Sequence, residues 1–524
     1  MLQILSETFK QPLNNIGTLI LGQCYLHENN GDPQLLILIK KVCTVALVIF
    51  FSLVAITAIP IWVVGDVIEA IDIGNQPFER RTFPIPDHPT SLDPKMTEFL
   101  GSSLSTYQNT NDPEFCKGSD WQNYVEKNFT GDKAHLAPGM GVDILTEEGL
   151  NLLIASTLEM NGNTLRFSVE WADIRNKDGS FNEVAMEQYV KVARKLKKSG
   201  ITPFVTLHHF VTPLDKQGRM LFESPKGVDE YLKFATYVYD HLSDHVEHFF
   251  TFNEPHVNGV ENYIRGVFPA AGIANFYTYT QVTNRKLEAH KLVHRELHSM
   301  AEKKGKTVHV GLTHQAVMFE TTSRWNYLAR AVAFVFTYLF HDNFMNWAVN
   351  NTSSLDLLGI QYYSKPLLSG IIPDSTCREG EEMVEPMHFR FYPKGIYDIL
   401  QDVHNQLGNR VSLLITETGT AGKNDVKGSD NDTMDKRRKD YFTESIEATR
   451  AIQDLGINVI GYLFWSLFRN FEWAFGCSEK HDFGMIAINP ETRETRPTAG
   501  FTAIQEIFAN TQRAAGRQLA TARS

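Results

Sequence analysis

The chain has 524 residues, a formal charge of −11, 43% hydrophobic residues and 21% charged ones. This is the composition of a folded globular protein with a large core, so wholesale disorder is excluded; a net charge this acidic also argues against nucleic-acid binding, which depends on clustered cations that displace counterions. Five cysteines, at 24, 43, 116, 377 and 477, form no CxxC pair and suggest neither a disulfide framework nor a zinc site.

An N-terminal segment, residues 1–41, precedes an uncharged run from Val42 to Gly65, VCTVALVIFFSLVAITAIPIWVVG. A helix rising about 1.5 Å per residue crosses a hydrocarbon core of about 30 Å with this many residues, so a single transmembrane helix over 42–65 is expected. A fully buried core helix is the alternative; a cleavable signal peptide fits poorly, because the apolar run starts far from the N-terminus and no A-x-A site follows. Lys40 and Lys41 precede the span and Arg80 and Arg81 lie well beyond it, so the charge bias places the N-terminus in the cytoplasm and the following domain on the exterior or lumenal side. Sequons at Asn128, Asn350, Asn351 and Asn431 matter only if the domain passes through a glycosylating compartment. Residues 66–95, with prolines at 77, 84, 86, 89 and 94, are expected to form an extended linker.

From Met96 the pattern becomes regular, and a domain over 96–510 followed by a tail over 511–524 is expected. Residues 183–208 spell an amphipathic helix with Val190, Ala193 and Leu196 on one face, a lysine-rich last turn, Gly200 as cap and then an apolar strand. The phrase recurs over 444–466 with Gly456 as cap, and 228–245 and 280–304 carry similar helical periodicity; Val228, Tyr231, Leu232, Ala235, Val238 and Leu242 mark one buried stripe. Strands are expected over 99–108, 164–170, 202–209, 248–254, 308–315, 357–363, 412–417 and 459–466. Eight apolar strands alternating with amphipathic helices point to a parallel sheet closed as a (β/α)8 TIM barrel. An open doubly wound sheet is the alternative, weakened by the lack of a Gly-rich phosphate loop after the first strand.

Two of these strands end in glutamate: EHFFTFNEP delivers Glu254 and VSLLITETGT delivers Glu417. The C-terminal ends of barrel strands build the active site, so both should project over the barrel mouth. Two carboxylates flanking one bond suit glycoside hydrolysis, one protonated to assist the leaving oxygen and one ionised to meet the oxocarbenium-like carbon. Each glutamate equally suits a buried ion pair, and on spacing alone both readings stand.

TFNEP at 251–255 and ITETG at 415–419 resemble the two signature motifs of family 1 glycoside hydrolases, the retaining β-glucosidase family. The likeness continues, in the family's order, through STYQ at 105–108, NTLRFSVEW at 163–171, VTLHHF at 205–210, LGIQYYS at 358–364 and GYLFWSLFRNFEWAFG at 461–476. It implies Glu254 as acid/base and Glu417 as nucleophile. It also implies Asn253 beside the sugar's 2-hydroxyl and Arg166 and Tyr363 as donors that hold the pKa of Glu417 down. Gln108, His209, Glu472 and Trp473 match the clamp on the sugar hydroxyls, and Trp465 the aromatic floor. His208, facing the other way by strand alternation, is expected to be structural. No cofactor or metal is implied, and the partner is a β-glycoside or oligosaccharide substrate.

Several positions depart from the family's pattern: Thr418 follows the nucleophile in place of asparagine, Phe210 replaces tryptophan, Gln361 replaces asparagine, and Asn109 and Thr110 replace a sequence carrying Glu-Gly. Ser478 and Lys480 invite a 6-phospho-β-glycosidase reading, but the family's phospho-enzymes lose the clamp glutamate and Glu472 is present, so both are expected to be loop residues. A carbohydrate-binding pseudoenzyme on the same barrel is the third reading; such proteins typically lack one of the two glutamates, and both are here.

Overall fold

The computed structural model describes residues 91–139, 141–322, 326–369, 376–377, 382–384, 389–423, 433–489 and 492–516. The expected membrane span at 42–65 and most of the expected linker fall outside these; among the described residues no helix is long and apolar enough to cross a membrane.

Eight parallel strands close into a barrel: β1 (Phe99–Ser103), β2 (Thr164–Ser168), β3 (Thr202–Thr206), β4 (His248–Asn253), β5 (His309–Gln315), β6 (Leu357–Tyr362), β7 (Ser412–Thr418) and β8 (Val459–Phe464). Strand order follows chain order, and β1 closes the ring against β8 with Phe99 opposite Gly461. The strands form because their residues are apolar on both faces: inward ones meet inside the barrel and outward ones meet the helices. Phe99, Phe204, Phe250, Leu357, Leu414 and Leu463 fill the interior. Gly101 sits where β1 meets β2, and a Cβ there would lie 1.8 Å from the Thr164 carbonyl oxygen, so no larger residue fits.

The outer ring comprises α1 (Glu147–Glu159), α2 (Glu183–Lys198), α3 (Lys226–Leu242), α4 (Phe276–Lys304), α5 (Asn343–Asn350), α6 (Ile396–Leu407), α7 (Thr433–Asp454) and α8 (Ala499–Ala514). In α2 the Asn182 side chain caps the N-terminus by accepting from the Ala185 amide, lysines occupy the last turn, and Gly200 adopts φ 78° just beyond. Its stripe of Val190, Ala193 and Leu196 is buried as expected. In α3 the buried stripe is Tyr231, Phe234, Ala235, Val238, Tyr239 and Leu242, with Val228 and Leu232 only half-buried.

Several boundaries differ from expectation. The first strand stops at Ser103, not Gln108, because Ser105 caps a helical turn over Thr106–Asn109; that turn is buried, so its composition resembles strand. α7 starts at Thr433, well before 444: its charged first half hides the period, since Arg438 is buried and its Nη2 donates to the carbonyls of Gly422 (2.8 Å) and Asp482 (2.7 Å). The domain also begins earlier and ends later than 96–510, because buried Leu92 donates its amide to Thr511 Oγ1 at 3.0 Å and α8 runs to Ala514.

Candidate active site

A cavity of about 330 Å³ lies over the C-terminal ends of the strands, and Asn253, Glu254, Tyr363 and Glu417 line it together with His209, Trp465, Glu472 and Trp473. Both strand-ending glutamates therefore share one cavity, as their motifs require. Arg166 rises from β2 beneath it, fully buried, and binds three strands at once: Nη1 donates to Glu417 Oε1 (2.6 Å), Nη2 to Asn253 Oδ1 (2.6 Å) and Nε to Thr206 Oγ1 (2.9 Å). The second oxygen of Glu417 accepts from the Tyr363 hydroxyl at 2.8 Å.

The two carboxyls have unequal surroundings. Burial raises the pKa of Glu417, while the Arg166 charge and the Arg166 and Tyr363 donors pull it down as expected; burial outweighs them and the net direction is upward. Glu254 makes no side-chain hydrogen bond to any described residue. Burial and then the nearby Glu417 charge push its pKa well above the usual carboxyl range, against a smaller pull from Arg166. Both carboxyls are raised, but only Glu417 has donors on its charged form, so the proton resides preferentially on Glu254.

Asn253 is oriented by three donors on its Oδ1: Arg166 Nη2, Gln361 Nε2 at 2.8 Å and Thr313 Oγ1 at 2.9 Å. Its amide NH2 is left facing the cavity it lines. Gln361 is one of the departures from the family pattern, and its longer side chain makes this bond. Thr206 and Thr313 were not anticipated; both are ordinary strand threonines whose role depends on partners about 40 and 60 residues away.

The clamp residues divide. His209 lines the cavity with its ring 5.8 Å from Trp465 and 6.0 Å from Trp473; burial and the Arg166 charge hold its pKa well below the usual range, so the ring is neutral. Burial lifts the pKa of Glu472 to about 8, against a smaller downward pull from the Trp465 side chain. His209 Nδ1 and Glu472 Oε2 are buried without a hydrogen-bond partner, a state that ligand hydroxyls would relieve. Trp473 stacks on Tyr107 at 6.2 Å and 10°, which fixes its plane. Gln108 is the exception: its Nε2 donates to the Phe471 carbonyl at 2.8 Å and it does not line the cavity, because the helical turn at 106–109 draws it beneath the Phe471 loop. Its Oε1 is nevertheless buried and unpartnered.

His208 faces away, its Nε2 2.9 Å from Thr212 Oγ1 and its ring against Phe222 and Phe252. Ser478 and Lys480 belong to a short helical turn outside the cavity, where Ser478 Oγ accepts from the Lys480 amide. Metal-type spacing occurs elsewhere: His294 and His298, one turn apart on α4, place Nε2 3.3 and 2.8 Å from the oxygens of Asp356 at the start of β6. Asp356 Oδ2 also accepts the Val310 amide at 2.7 Å, so the carboxylate is satisfied by protein donors that tie α4 to the barrel's N-terminal end.

Comparison with known proteins bears on the family and the fold. The profile of the family described as Glycosyl hydrolase family 1 matches residues 116–349 and 351–512. β-Glucosidase A of Thermotoga maritima is 28% identical over 360 residues, which cover 63% of this chain and 78% of that protein. A 6-phospho-β-galactosidase of Clostridium acetobutylicum is 24% identical over 439 residues, covering 72% and 89% respectively. A β-glycosidase structure from Pyrococcus horikoshii shares the fold with a TM-score of 0.65 and 24% identity, over 82% of this chain and 98% of that one.

Proposed function

The chain belongs to glycosyl hydrolase family 1 and is a glycosidase, and we propose that it hydrolyses terminal β-linked sugars, β-D-glucosides foremost, with retention through a covalent glycosyl-enzyme intermediate. The observation that carries this reading is the asymmetry of the two carboxyls in one cavity: Glu417 holds a donor on each oxygen, and Glu254 holds none.

In the first step a Glu417 oxygen bonds to the anomeric carbon as the carbon–oxygen bond to the leaving group breaks, and the Glu254 proton moves to the departing oxygen. In the second, Glu254, now a carboxylate, takes a proton from water; the water oxygen bonds to the anomeric carbon and Glu417 leaves with its electron pair. Arg166 stabilises Glu417 as nucleophile and as leaving group. Asn253, its oxygen occupied by three donors, offers its NH2 to the sugar, and Glu472, His209 and Trp465 supply bonds and a face for the ring.

A 6-phosphoglycoside is disfavoured because Lys480 and Ser478 lie outside the cavity and Arg265, the cation that lines it, is paired with Glu261 at 2.8 Å. The charge of Glu472 is a weaker argument than the sequence suggested, since with a pKa of about 8 this group is largely protonated at neutral pH in the empty site. The apolar run at 42–65 would tether the domain to a membrane with the barrel on the exterior or lumenal side; removing residues 1–72 should then release it from pelleted membranes with its activity intact. The chemistry is tested by nuclear magnetic resonance of the first-formed sugar released from an aryl β-glucoside. β-Glucose is expected from the wild type and no turnover from Glu417→Ala; α-glucose, or an active alanine variant, would overturn the assignment.

A further inference from the structure

The cavity changes character beyond the strand ends. Around Glu254 and Glu417 it is polar, but the chain leaving β5 supplies an aromatic wall of Phe319, Phe336 and Phe340, with ring centroids 5.6, 6.0 and 6.4 Å apart. Phe268 and Phe475 line the same cavity. The wall is built in: the Phe319 amide donates to Thr337 Oγ1 at 2.9 Å, and Glu320–Thr321 pairs in parallel with Leu367–Leu368 just past β6. Phe319 and Phe336 are only half-buried and Phe475 is 41% exposed, so apolar faces stand open to solvent around the exit from the catalytic pair. The charges on this side, Arg265 and Glu261, are engaged with each other.

We propose that the leaving group of the natural substrate is a long hydrocarbon chain, so that the enzyme cleaves amphiphilic alkyl- or acyl-lipid β-glycosides in preference to oligosaccharides. This rests on the glycosidase reading above. A second sugar ring against Phe319, Phe336 and Phe340 would lose hydration from its hydroxyls where the lining beyond the glutamate cluster offers as polar side chains Gln315 and the mutually paired Arg265 and Glu261, whereas each methylene placed there leaves water at no such cost.

The test is kcat/KM for glucose release from methyl, butyl and octyl β-glucoside, all below micelle-forming concentration, beside cellobiose. Burial of successive methylenes is expected to raise kcat/KM by about two- to fourfold each, giving at least about tenfold between butyl and octyl. Octyl glucoside should exceed cellobiose, and Phe336→Ser should lower the octyl value more than the methyl value. Turnover that is flat with chain length, or cellobiose as the better substrate, would overturn the proposal while leaving the glycosidase reading intact. No glucose release from any of these or from an aryl β-glucoside would overturn both. The wild-type series decides the matter even if the variant fails to fold.

Discussion

Replacing Tyr363 with phenylalanine removes one of the two donors on Glu417 and leaves the other. The lost bond is a hydroxyl 2.8 Å from a buried carboxylate. Bonds of this kind, to a charged acceptor, contribute about 1.5–3 kcal/mol, and at about 1.4 kcal/mol per pKa unit the pKa of Glu417 should rise by about 1–2 units. The sign follows from its role: the nucleophile must be ionised, so activity is lost as pH falls through its pKa, and raising that pKa moves the acid limb to higher pH. The ring should stay in place, since it packs edge-on against Phe483 at 5.6 Å. Initial rates with p-nitrophenyl β-glucoside across about pH 4–9, fitted as kcat/KM, report the free enzyme. An acid limb displaced by less than about 0.3 units, in a variant of unchanged melting temperature, would refute the assignment of Tyr363 as the donor that tunes this carboxylate.

Glu254→Gln should abolish the basic limb of the same profile, because activity is lost as pH rises through the elevated pKa of Glu254 and the amide cannot titrate; with an activated aryl leaving group, turnover should fall by about 10²–10⁴-fold, measured by stopped assay. Asp356→Asn should destabilise the fold by about 1–2 kcal/mol at neutral pH, the shift to about 2 being discounted for a side chain one quarter exposed. The folded pKa lies below the unfolded value of about 3.8, so this difference should be full above pH 4 and vanish as pH falls towards 2, as followed by urea melts. Gly101→Ala must push β1 from β2 and should cost about 3 kcal/mol or more, read as a lowered melting temperature or insoluble expression.

The barrel was legible because strands buried on both faces read as continuous apolar runs, and eight of them alternating with capped helices leave few other folds. Strand ends were less so: in VTLHHF the apolar character continues through His209, while the backbone leaves β3 at Thr206 and Phe210 already has φ 72°. The two glutamates that share the cavity were visible as motifs, but what surrounds them was not. Arg166 could be suspected of pairing with a carboxylate, yet its bonds to Thr206 and Asn253, and the bonds of Thr313 and Gln361 to the same Asn253 oxygen, join five strands and have no local signature. The His294 and His298 spacing was in plain view on α4; only the fold reveals the partner, Asp356, about 60 residues on. The aromatic wall at 319–340 resembles ordinary core in composition, and only partial exposure distinguishes it.

Strict alternation along the strands would in fact have misplaced Asn253 and Glu417. On β4, Phe250 points into the barrel and Thr251 points out, its hydroxyl 2.8 Å from His290 on α4. Phe252 should then point in, yet it stacks on Tyr231 of α3 at 4.6 Å, on the outside. A register shift between Phe250 and Asn253 absorbs the discrepancy and returns Asn253 to the inside, where Arg166 reaches it. The next residue would again point out; instead Glu254 takes φ 44°, ψ 62°, and lines the cavity beside its neighbour. β7 solves the same problem in a similar way. Leu414 is inside and Ile415 outside, and Thr416 faces inward against Gly359; a shift between Ile415 and Glu417 then brings Glu417 to the cavity as well. Bulges and a left-handed residue are departures from regular strand, and a left-handed residue bearing a Cβ costs about 1–2 kcal/mol. Here they set consecutive side chains on one side of the sheet, which a regular strand cannot do: Asn253 with Glu254 on one stave, Thr416 with Glu417 on another. The two cavity glutamates therefore stand on two local irregularities, held in place by the rigid barrel below them.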